Sequence, residues 1–110
     1  MGLAPLPDDR WTRGKCGLRL LQYLAAAVPS VASPVGTQAQ ITRSGAALEA
    51  RNEEQWIAAI SALLCKPELA RHCVAKGVSL VGTDFNVEVC AKKLEEIWCG
   101  TLKSLGPQLI

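Results

Sequence analysis

The chain predicts an all-α fold: a small, irregular domain of about four helices with an amphipathic N-terminal helix and a long connector. Three observations carry that expectation. Apolar residues recur at helical spacing in three separate stretches. Helix-start residues and prolines stand at the boundaries of those stretches. The only strand-like piece, 78–82 (VSLVG), has no obvious partner, and five isolated residues read better as an extended connector. A length of 110 residues suits one small domain, or a smaller domain with an arm.

Residues 1–9 are proline-rich and read as an extended tail. A basic amphipathic helix follows over 10–28. Leu20, Leu24 and Val28 fall on its broad apolar arc, with Lys15, Arg19 and Gln22 on a narrow polar stripe behind. Pro29 stops it. Residues 29–51 carry two prolines, two glycines and several Ser and Thr, which marks a linker draped over a surface.

The helical domain proper is expected over 52–110. Asn52 is a good N-cap, Gln55 completes a capping-box pattern, and Glu53 and Glu54 suit the positive end of the helix dipole. Pro67 opens a short third helix, and Gly77 reads as its left-handed stop. Thr83 or Asp84 caps a last helix of about twenty residues that ends at Gly106–Pro107. Trp56 and Trp98 lie on the apolar arcs of the two long helices, so these arcs should pack together, with Leu69 and Cys73 filling the side.

Between Arg10 and Leu48 there is no acidic residue, against five basic ones. An acid-free, Arg-containing segment rich in Ala and Ser resembles a mitochondrial presequence, which implies import. A mitochondrial location is therefore expected, and a cytoplasmic one otherwise. The apolar run 18–28 is broken by Arg19 and Gln22 and follows Asp8 and Asp9, so it makes a poor secretory signal. A Leu-rich face beside Lys15 and Arg19 also suits contact of 11–28 with a membrane surface. The net charge of +2 is too small to imply a nucleic-acid surface.

No chemistry can be assembled from the residues alone. The one histidine, His72, adjoins Cys73, and neighbouring helical side chains diverge by about 100°. No CxxC pair and no glycine-rich phosphate loop is present. The chain is thus expected to be no enzyme and to carry no cofactor or metal.

The five cysteines are Cys16, Cys65, Cys73, Cys90 and Cys99. Cys73 and Cys90 sit on apolar arcs as small core residues. Cys65 and Cys99 lie off those arcs, where a partner protein would have to bury them. Cys65-x7-Cys73 and Cys90-x8-Cys99 on two helices also resemble the twin CX9C proteins of the mitochondrial intermembrane space. That resemblance implies a hairpin stapled by Cys65 with Cys99 and Cys73 with Cys90.

The functional expectation is a non-catalytic accessory subunit of a larger, plausibly mitochondrial, assembly, with other protein subunits as its partners. Its contact residues would be Trp11, Leu20, Leu24, Val28, Cys65 and Cys99. The alternatives are a helical adaptor that takes a peptide or helix, and the disulfide-stapled hairpin.

Overall fold

A computed structural model describes residues 1–106. The elements run β1 (Gly2–Ala4), a 3-10 turn (Thr12–Gly14), α1 (Leu18–Ala25), β2 (Ser30–Ala32) and α2 (Thr37–Arg43). They continue β3 (Leu48–Glu49), α3 (Glu53–Cys65), α4 (Pro67–Asp84) and α5 (Val87–Leu105). The chain is mostly helical, as expected, but it is not all-α. A three-stranded parallel sheet in the order β1-β2-β3 stands at its centre. Its register pairs Gly2 with Ser30, Ala4 with Ala32 and Val31 with Leu48. Parallel neighbours need crossover connections, and α1 and α2 supply them. The first half of the chain is therefore two consecutive βαβ units that share β2.

The stretch 29–51, expected as a linker, is the most buried part of the molecule. Eleven of its twenty-three residues are buried, against four of the fifty-five in 52–106. Its Ala, Ser and Gly are short side chains that let backbone approach backbone closely. β2 is covered on both faces, so it shows no polar alternation. Val31 enters one apolar cluster, with Ala50, Ala59, Leu63 and Cys73. Ala32 enters the other, with Ala4, Leu20, Leu24, Ile41, Ala46 and Ala47.

α1 is shorter than the expected 10–28 helix. It starts at Gly17, which is left-handed (φ 69°, ψ 24°), and ends with a Schellman motif. Ala27 N–H donates to Leu24 O at 3.1 Å and Val28 N–H to Tyr23 O at 2.9 Å. Ala27 takes φ 56° to close that motif, the one non-glycine residue with positive φ among those described.

Two helix starts match the expectation. Asn52 Oδ1 accepts from Gln55 N–H at 2.9 Å, and Pro67 stands at the first position of α4. Gln55 Oε1 reaches back to Arg51 N–H at 2.8 Å, one residue before the cap. Gly77 does not stop α4, and 78–82 is neither strand nor connector. The helix runs through to Asp84 because Gly77 is a contact point. A Cβ there would lie 2.9 Å from Leu24 Cδ2, so the missing side chain lets α4 sit against α1. Leu80 and Val81 then pack on the first cluster.

α5 is capped by Asn86, not Thr83 or Asp84, and its 19 residues match the expected length. Gly106 follows its last turn; Pro107 lies outside the described residues. The expected packing of Trp56 on Trp98 does not occur. Trp56 and Leu69 are half-buried on the second cluster, whereas α5 has no buried residue. Helix α5 draws the molecule out to 61 × 29 × 17 Å, with a radius of gyration of 17.1 Å. A compact chain of this length would have a radius of about 13 Å.

Candidate binding site at the carboxyl edge of the sheet

A cavity of about 380 Å³ opens where β1 ends. Ala4, Pro5 and Leu6 form one wall, the entry to α1 (Lys15, Cys16, Gly17, Leu18, Arg19) another, and Gln38 the floor between them. In open parallel sheets this is the edge where ligands sit, because the crossover helices begin there and point their N-termini at the crevice.

Local chemistry holds each wall. Thr12 knots the segment that follows β1: its N–H donates to Asp9 Oδ1 at 2.8 Å, and Asp9 N–H donates to its hydroxyl at 3.2 Å. Arg13 Nε donates to Asp8 Oδ1 at 2.6 Å. Leu6 N–H donates to Ser33 Oγ at 2.9 Å, tying the wall to the end of β2. Gly36 (φ 56°, ψ −130°) begins α2 in a conformation that glycine alone adopts readily. A Cβ there would stand 2.6 Å from the Arg13 carbonyl oxygen. Its absence lets the Thr12 knot press onto the turn after β2. Gln38, only 3% exposed, completes the floor. With its amide turned to suit its neighbours, Nε2 donates to Ala4 O at 3.1 Å and Ser33 O at 2.9 Å.

The electrostatics are one-sided. Lys15 and Arg19 flank the cavity, and no carboxylate among the described residues lines it. α1 has no acidic residue in its first turn and no side chain capping its N-terminus. Its first N–H groups, with the positive end of the helix dipole, thus remain unclaimed at the opening. The nearest acids in sequence are bound to neighbours. Hydrogen bonding from Arg13 holds Asp8 below the usual carboxylate range, and the backbone N–H of Thr12 does the same for Asp9. Cys16 is an exposed thiol on the wall. His72 lies elsewhere, on a shallow groove with Ser44 and Lys76. The lining can bind an anion by charge and backbone donors, and it contains no nucleophile–base pair.

The predicted contact residues fall into two groups. Leu20 and Leu24 are 0% and 1% exposed, because the sheet and α4 cover the apolar arc of α1 from within the chain. They offer nothing to a partner, and the face that would have entered a membrane surface is the same buried face. Val28 is half-buried at the turn into β2. Trp11 is exposed, as are Cys65 and Cys99. All five thiols are free: Cys90 is exposed on α5, and Cys73 is buried among the second cluster, where burial raises its pKa. The expected pairs Cys65–Cys99 and Cys73–Cys90 are not formed, since α5 leaves α4 rather than folding back along it. Among the described residues no helix is long and apolar enough to cross a membrane, and no group of three metal-ligating side chains gathers.

Lys15, Gly17, Arg19 and Gln38 were not singled out as site residues by sequence reasoning. Their trace was the acid-free gap after Arg10, which contains every lining residue beyond Leu6.

No protein-family model, no curated protein and no solved structure matches this chain.

Proposed function

We propose that this domain binds a small phosphate-bearing ligand, of the nucleotide class, at the carboxyl edge of its parallel sheet. The observation that carries this reading is the meeting of Lys15, Arg19 and the uncapped start of α1 on a cavity that no carboxylate lines among the described residues. The cavity lies within the range of small-molecule sites, and its apolar wall of Ala4, Pro5, Leu6 and Leu18 suits the uncharged part of such a ligand. Calorimetric titration of the purified chain with ADP, UDP, pyrophosphate and the two nucleosides tests it. The diphosphates should bind saturably, more weakly as salt rises, and the nucleosides hardly at all. Lys15→Gln and Arg19→Gln should each weaken binding roughly tenfold, the value of one charge-assisted hydrogen bond. Nucleosides binding as tightly as their diphosphates, or no saturation at millimolar concentration, would overturn the proposal.

A second reading retains the expected accessory role: the domain works within a larger protein assembly and contributes no catalysis of its own. α5 favours it, since Ile97, Trp98 and Leu102 are all more than 60% exposed on one apolar stripe. Contiguous exposed apolar surface marks an interaction site. In light scattering with a candidate subunit, Trp98→Ser should abolish complex formation and leave the melting temperature unchanged. A complex that survives the substitution, or a substitution that lowers the melting temperature by several degrees, refutes the role assigned to α5.

A further inference from the structure

We draw no further inference here: the strongest candidate, the apolar stripe of α5 around Leu94, Ile97, Trp98 and Leu102, lies uncovered along the helix, and nothing in the structure shows what covers it.

Discussion

α1 and α5 both carry an apolar stripe, yet Leu20 and Leu24 are 0% and 1% exposed while Ile97 and Trp98 are each 62% exposed. The longer helix is the uncovered one. α1 has eight residues and is enclosed by the sheet and α4; α5 has nineteen, extends about 28 Å, and packs to any extent only on α4 among the described residues. Helical periodicity therefore specifies that a face is apolar and leaves open what lies against it. In this molecule the difference comes from connectivity. A crossover helix is forced onto the sheet by the strands at both its ends, whereas α5 follows another helix and joins no pair of strands among the described residues.

The contrast predicts unequal costs for the same kind of truncation. Leu24→Ala removes side-chain atoms from the first cluster and from the Gly77 contact, and should destabilise by about 3 kcal/mol. Ile97→Ala should cost less than about 0.5 kcal/mol, as an exposed position does. Urea denaturation of both variants measures the gap, and equal losses would mean that α5 is covered within the chain. Gly36→Ala comes next. Strain at its positive φ and conflict with the Arg13 carbonyl should lower stability by about 2 kcal/mol, and ligand affinity at the cavity should fall with it. One effect has the opposite sign. Ala27→Gly relieves a left-handed alanine in the Schellman motif and should stabilise by about 1 kcal/mol in thermal unfolding. A loss instead would show that the Ala27 methyl group contributes packing that outweighs its backbone strain.

In the C-terminal half two helix starts and the long last helix were legible in the residues; in the N-terminal half the strands were not. Asn52, Pro67 and the long apolar period after Asn86 each act locally, through a cap, a fixed φ or a repeat, and all three were readable. The strands are three, three and two residues long, too short to show any period, and β2 is apolar on both faces. Gly77 shows the same limit at a single residue. As a local signal it says stop; as a neighbour of Leu24 it says contact, and tertiary packing decided between them. The cavity was invisible for a related reason. Its lining comes from 4–6, 15–19 and 38, which only strand pairing brings together.

α4 serves both clusters: Cys73 sits in one, while Leu80 and Val81 lean on the other. Neither cluster can open fully without disturbing this helix, so the small core should melt as one cooperative unit. Cys73 is also the only buried thiol of the five, and burial keeps it protonated and slow to react. Nature has thus placed a clock inside the domain: the labelling rate of this one sulfur reads how often α4 lifts away, with the four surface thiols as its zero of time.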